Sequence, residues 1–245
     1  LLSDAGIPRL HREPLFEAPT YLPLARAKAA GASGLGPDGT GGECMATAAT
    51  PSGGVVLIVG ASGGIGSALA RRLTADGTRV ALAGRDADRL GALAQETGGR
   101  VLTLDATRPA EVEAAAARVV DEVGRLDGIA NCVGSLLLKP AHLTSEEEWG
   151  STLALNLTSA FGAVRAAARS MTAGGSVVLM SSAAARMGLA NHDAIAAAKA
   201  GVIGLTLSAA ATDAPKAIRV NALAPGLVRT PLTARITGSE TAIKA

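Results

Sequence analysis

Aromatic residues are almost absent from this sequence, with two Phe, one Tyr and one Trp among 245 residues. Rings that could stack on bases are therefore missing. The 23 Lys and Arg are scattered against 21 Asp and Glu for a net charge of +2, so nothing points to nucleic-acid binding. Cysteine is scarce as well. Cys44 and Cys132 stand in unrelated contexts, so neither a disulfide framework nor a metal site is indicated, and a reducing, cytoplasmic setting is expected. The chain also lacks a run of about 18 apolar residues, so no membrane span is expected. The first 44 residues lack the basic start and apolar centre of a secretory signal. Their acids (Asp4, Glu13, Glu17, Asp38, Glu43) do not suit an organelle transit peptide.

What is present is a globular composition, 48% apolar and 18% charged, in a length that suits one α/β domain. Residues 1–54 show neither helical nor strand periodicity and end in a stretch of Gly and other small residues, so they read as a disordered or extension segment. Met45 is read as the natural start, with a flexible arm as the alternative. From Val55 onward, short β-rich runs alternate with Ala-rich stretches of helical length. The strands are placed at Val55–Val59, Arg79–Ala83, Arg100–Leu104, Asp127–Asn131, Ser176–Met180 and Ile218–Ala222. Apolar runs without alternation suit strands buried on both faces, and repeated βα units imply a parallel sheet with right-handed crossovers. The expected fold over residues 55–245 is a doubly wound parallel sheet of the Rossmann kind in three α/β/α layers.

After the first strand comes Gly60-Ala61-Ser62-Gly63-Gly64-Ile65-Gly66, and a helix is expected over Ser67–Ala75. Glycines there permit a tight turn and a close backbone approach to a pyrophosphate, whose charge is met by N–H groups at a helix start. The same stretch also matches G-x-S-x-G, the nucleophile elbow of serine hydrolases, with Ser62 as the nucleophile. That fold places several strands before the elbow, and only His142 and His192 lie downstream to act as a base. The hydrolase is a remote alternative.

Taken together, Gly60, Gly64 and Gly66, the segment Asn131-Cys132-Val133-Gly134, Asn156, Ser182, Lys199 and Asn221-Ala222-Leu223-Ala224-Pro225-Gly226 resemble the short-chain dehydrogenase/reductase family. The resemblance runs from about Val55 to the end of the chain. It implies that Gly60, Ser62, Gly63, Gly64, Ile65 and Gly66 cradle the cofactor phosphates. It also implies that Asp105 and Ala106 hold the adenine, and that Asn131 and Gly134 support the sheet and line the adenosine side. Cys132 departs from the pattern by replacing an Asn. Asp105 alternatively caps the following helix. Gly84-Arg85 at the end of the second strand lacks the acid that would accept from a ribose 2′-hydroxyl and offers a guanidinium to a phosphate, so NADP(H) is expected over NAD(H). By resemblance, Ser182 polarises the substrate oxygen, with Ser181 as the fallback. Lys199 holds the nicotinamide ribose, Asn156 orients a water beside it, and Pro225, Gly226 and Thr230 meet the nicotinamide side.

The family's proton-donating tyrosine would stand four residues before Lys199, where this sequence has Ile195. A positioned acid contributes about 10²- to 10⁴-fold to such a reaction. The one tyrosine, Tyr21, lies far upstream. His192 precedes Lys199 by seven residues, about 10.5 Å along a helix, and is poorly placed for the role. A water held by Ser182, Lys199 and Asn156 is the remaining source. His142 sits before Thr144-Ser145-Glu146-Glu147, a helix-start signature, and reads as exposed or structural.

Members of the family continue past the Pro-Gly turn to a seventh strand, so this chain, which stops at Ala245, is expected to be C-terminally truncated and to lack that strand. The full-length protein is expected to form a homo-oligomer. The expected activity is NADP(H)-dependent interconversion of a small-molecule carbonyl and alcohol with a non-standard proton donor. The alternative is a dinucleotide-binding protein of impaired chemistry.

Overall fold

The computed structural model describes residues 53–238. The expected extension, with Met45 and Tyr21, and the segment after Gly238 lie outside the described residues. Six parallel strands form one sheet: β1 (Val55–Val59), β2 (Arg79–Gly84), β3 (Arg100–Thr103), β4 (Gly128–Asn131), β5 (Gly175–Met180) and β6 (Ile218–Leu223). Their order is β3-β2-β1-β4-β5-β6, the doubly wound arrangement expected from the apolar runs. In β1 every residue is buried. Val55, Leu57 and Val59 join one core, and Val56 and Ile58 join the other, as a two-residue period requires.

On the first face pack α3 (Pro109–Val123), α5 (Ser159–Ser170) and α6 (Asp193–Asp213). Small side chains let these helices approach closely: Ala115 and Ala116 of α3 are buried with Ala163, Ala166 and Ala167 of α5. A Cβ on Gly162 would stand 3.2 Å from Pro109 Cα. On the second face lie α1 (Gly64–Ala75) and α2 (Ala87–Thr97), through Ala70, Leu90 and Leu93. A short α4 (Glu146–Leu153) leads into α5 through a π-helical turn, Ala154–Thr158, and α7 (Ala234–Thr237) closes the described chain.

Strand limits depart from expectation by a residue at several ends. Asp127 stands just before β4: its backbone donates to Val55 O at 2.9 Å and its side chain accepts from the Val55 N–H at 2.8 Å. Helix α1 begins at Gly64, not Ser67, so Gly64, Ile65 and Gly66 form its first turn. The helix-start box before α4 is made by Ser145 and Glu148, one residue later than the signature at Thr144 suggests. By length and composition α6 could cross a bilayer, with a mean hydropathy of 1.6. One side of it, including Ala194, Ala198, Val202 and Ala209, is buried in the domain.

Candidate active site

The strand C-termini open onto a cleft of about 660 Å³. Its floor is the turn after β1. Gly60 has φ +82°, and a Cβ there would stand 2.9 Å from the Cys132 carbonyl carbon. A Cβ on Gly66 would stand 2.3 Å from Gly60 O, so only hydrogen fits at that position. Helix α1 then starts with no side-chain cap and no acid in its first turn, which leaves its first N–H groups aimed outward. Such an end binds anions, and the donor set fits the pyrophosphate of a dinucleotide.

Gly60, Ser62, Gly63, Arg85, Asp105, Ala106 and Gly134 line the cleft as the resemblance implies. Asp105 does not cap α3, whose N-cap is Arg108. Its Oδ1 accepts from Thr107 N at 3.0 Å and from Thr107 Oγ1 at 2.8 Å, and these bonds to Thr107 hold the carboxyl below its ordinary range. Three assignments change. The Ile65 side chain lies over a separate apolar groove of about 320 Å³ beside β4, so only its backbone is available to a phosphate. Gly66 is buried beneath the turn. Asn131 is 2% exposed and faces inward, donating from Nδ2 to Ser159 Oγ at 3.0 Å, so it braces β4 to the first turn of α5 instead of lining the cleft.

Sequence reasoning missed Arg89. It lines the cleft with Arg85 and donates from Nη2 to Ser62 O at 2.8 Å. Its signal was one helical turn of spacing from Arg85. Asp86 also lines the cleft, but its Oδ1 accepts from Arg89 N as the cap of α2. Leu232 forms part of the wall beyond the Pro-Gly turn, where no sequence periodicity announces it. Thr230 packs on the phosphate turn, where a Cβ on Gly64 would stand 2.8 Å from Thr230 Cβ. Pro225 accepts from Ala183 N at 3.0 Å, and Gly226 has open space around it, so neither lines the cleft.

Where β5 meets α6, the residues expected to carry chemistry converge. Ser181 is buried and donates from Oγ to Lys199 O at 2.9 Å. Ser182 is half-buried, and its Oγ accepts from Ala184 N at 3.2 Å, leaving its proton free. Lys199 is 7% exposed, and its Nζ donates to Met180 O at 2.7 Å. Burial lowers the Lys199 ammonium to about 8. Asn156 sits in the π-helical turn, a device frequent at functional sites. Its Oδ1 accepts from Ser135 N at 3.2 Å, while Nδ2 donates to Ser135 Oγ and to Thr152 O, each at 2.9 Å. A Cβ on Gly134 would lie 3.1 Å from Asn156 Oδ1 and 3.6 Å from Lys199 Nζ, so the glycine leaves both groups room.

Ile195 is 4% exposed, one turn before Lys199. His192 stands outside α6 with Nδ1 against Ala190 O at 2.7 Å, and His142 is exposed in the 3₁₀ turn Ala141–Leu143. Among the described residues neither ring hydrogen-bonds Ser62, so the hydrolase alternative gains no support there. Burial pushes the Cys132 thiol up to about 11.

A doubly wound parallel sheet, a glycine turn at a bare helix start and a Ser-Lys-Asn group at the strand ends define a dinucleotide-dependent oxidoreductase. Comparison with known proteins agrees. Residues 60–245 match the family model described as enoyl-(acyl carrier protein) reductase. A D-threitol dehydrogenase of Mycolicibacterium smegmatis is 38% identical over 185 residues, 73% of this chain and 71% of that protein. A short-chain type dehydrogenase/reductase from Mycobacterium ulcerans superposes with a TM-score of 0.74 at 34% identity, covering 78% of this chain and 74% of that one. An actinorhodin polyketide ketoreductase solved with NADPH gives 0.71 at 29% identity, covering 76% and 75%. The chain belongs to the short-chain dehydrogenase/reductase family. It is an NAD(P)-dependent oxidoreductase with a small-molecule substrate.

Proposed function

We propose that the protein uses NADP(H) to interconvert a carbonyl and an alcohol. The observation that carries this reading is the pair Arg85 and Arg89 at the adenosine end of the cleft, beside Gly84, with the two acids of the cleft engaged elsewhere, Asp86 in capping α2 and Asp105 with Thr107. Two guanidinium groups there suit a 2′-phosphate, and charge-assisted bonds of this kind are the stronger ones. The first turn of α1 would hold the pyrophosphate, Asp105 and Ala106 the adenine, and Lys199 the nicotinamide ribose. The nicotinamide, when bound, supplies or accepts a hydride. Ser182 offers its O–H as a hydrogen-bond donor that polarises the substrate oxygen and keeps its own proton, and Asn156 keeps Ser135 in place beside the Gly134 segment.

Ile195 favours a second reading, in which the chain binds the dinucleotide with impaired chemistry. Titrating NADPH and NADH by fluorescence and then surveying aldehydes and ketones separates the two. The first reading expects NADPH to bind at least about tenfold tighter than NADH, with measurable turnover. Tight binding without turnover, restored by Ile195→Tyr, supports the second. Failure to bind either cofactor overturns both.

The reading extends to the setting. Phe161 on α5 and Leu207 on α6 are exposed, at 42% and 69%, and support a homo-oligomer through these helices. Scarce cysteine supports a reducing cytosol.

A further inference from the structure

Among the described residues Lys199 is a buried cation without a counter-ion. The charged groups on the elements packed around α6 are Glu146, Glu147 and Glu148 on α4, Arg165 and Arg169 on α5, Arg219 on β6 and Lys216 in the 3₁₀ turn Ala214–Lys216, with Asp193 and Asp213 on α6 itself. None of them forms an ion pair with Lys199: Glu148 pairs with Lys139, Arg165 and Arg169 with Glu113, and Asp213 with Lys216. The neighbour that bonds the amine is neutral, the Met180 carbonyl, and a Cβ on Gly134 would lie 3.6 Å from Nζ and 3.1 Å from Asn156 Oδ1. An ammonium has three protons, and among the described residues only Met180 O accepts one. Two N–H bonds are therefore unspent. Ile195, buried one turn before Lys199 in the same helix, has no proton to give.

We infer that Lys199 is itself the general acid of this enzyme, handing its proton directly to the carbonyl oxygen that Ser182 holds. The inference rests on the oxidoreductase reading above. In the reducing direction the substrate carbon gains a hydride from the reduced nicotinamide, which is thereby oxidised, and the C=O π pair moves onto oxygen. An O–H bond forms there as one Nζ–H bond breaks. The resulting neutral amine still donates to Met180 O and regains a proton from solvent. In the oxidising direction the neutral amine accepts the alcohol proton. Desolvation serves the role, because an acid whose pKa has fallen to about 8 gives up its proton near working pH, while an ordinary lysine holds it.

The test compares wild type, Lys199→Arg and Ile195→Tyr as full chains. NADPH oxidation is followed from pH 6 to 10 with 4-nitrobenzaldehyde, cyclohexanone and 9,10-phenanthrenequinone. NADPH binding is measured by fluorescence, and the lysine Nζ signals are titrated by NMR with ¹³C,¹⁵N-lysine, Lys199 being assigned by its loss in the variant. We expect the Lys199 amine to titrate near pH 8 and wild-type reduction to fall through the same midpoint. Arginine keeps the cation but not the transferable proton, so Lys199→Arg loses about 10²- to 10⁴-fold in turnover at saturating NADPH, and the NADPH titration of the same variant reads any change at the ribose separately. Ile195→Tyr moves the activity midpoint away from that of the amine. Wild-type turnover that is flat through the amine midpoint, or that survives in Lys199→Arg, overturns the inference and leaves the oxidoreductase reading standing. A wild type that binds no NADPH, or reduces none of the three probes at any pH, overturns the reading beneath it.

Discussion

At the phosphate end of the cleft the chain offers the uncapped backbone N–H groups at the start of α1, whereas at the junction of β5 and α6 it gathers the side chains of Ser182, Lys199 and Asn156. Backbone donors are supplied by any residue that leaves the turn its shape, so that end depends on what is absent, namely Cβ atoms. The other end depends on what is present, namely the hydroxyl of Ser182, the amine of Lys199 and the amide of Asn156. One half is therefore sensitive to any added atom and the other to which side chain stands there.

The most damaging way to break that contrast is to add a methyl group to the first half. Gly66→Ala puts a Cβ against Gly60 O at a distance no side chain accepts, and should destabilise the fold by about 3 kcal/mol or more in urea unfolding, with loss of NADPH binding. In the second half, removing the charge should do the opposite. Lys199→Met spares the fold a desolvated cation and should raise stability by roughly 2 kcal/mol at pH 7. The sign follows from the lowered amine: the folded wild type binds fewer protons than the unfolded chain between about 8 and 10.5. Its stability therefore falls as pH drops through that window and is flat below it, and the variant should lack this slope in denaturation curves taken from pH 7 to 10.5.

A smaller effect is expected at the rim. Arg89→Ala should weaken NADPH about tenfold and leave NADH within twofold, read by fluorescence titration. Gly226→Ala should do almost nothing, within about 0.5 kcal/mol in stability, since a Cβ there meets open space. A large effect at Gly226 would show that the Pro-Gly turn serves the bound state and not the fold.

The sheet was legible because strands buried on both faces read as short apolar runs, and VVLIV in β1 leaves no other interpretation. The start of α1 was not, because glycines that open a helix look like the loop before it. Nothing in Ala154-Leu155-Asn156-Leu157-Thr158 announces a π-helical turn, yet that turn carries buried Asn156, which the family pattern alone had marked. Asn131 was misplaced for a related reason: the pattern marks that a residue matters without saying which way it points. Arg89 and Leu232 were missed because side chains reaching a cleft from a helix and from an irregular segment share no period. The choice between Ser181 and Ser182 needed the hydroxyl partners, which a sequence does not show.

Lys199 is tied to the end of β5 twice, by its Nζ to Met180 O and by its carbonyl to Ser181 Oγ, so a change at either strand residue is felt at the lysine. The phosphate turn, by contrast, is roofed by the short segment at Thr230 and Pro231. The two ends of the cleft are therefore held by separate parts of the chain, one by the last residues of β5 and the other by the segment after the Pro-Gly turn.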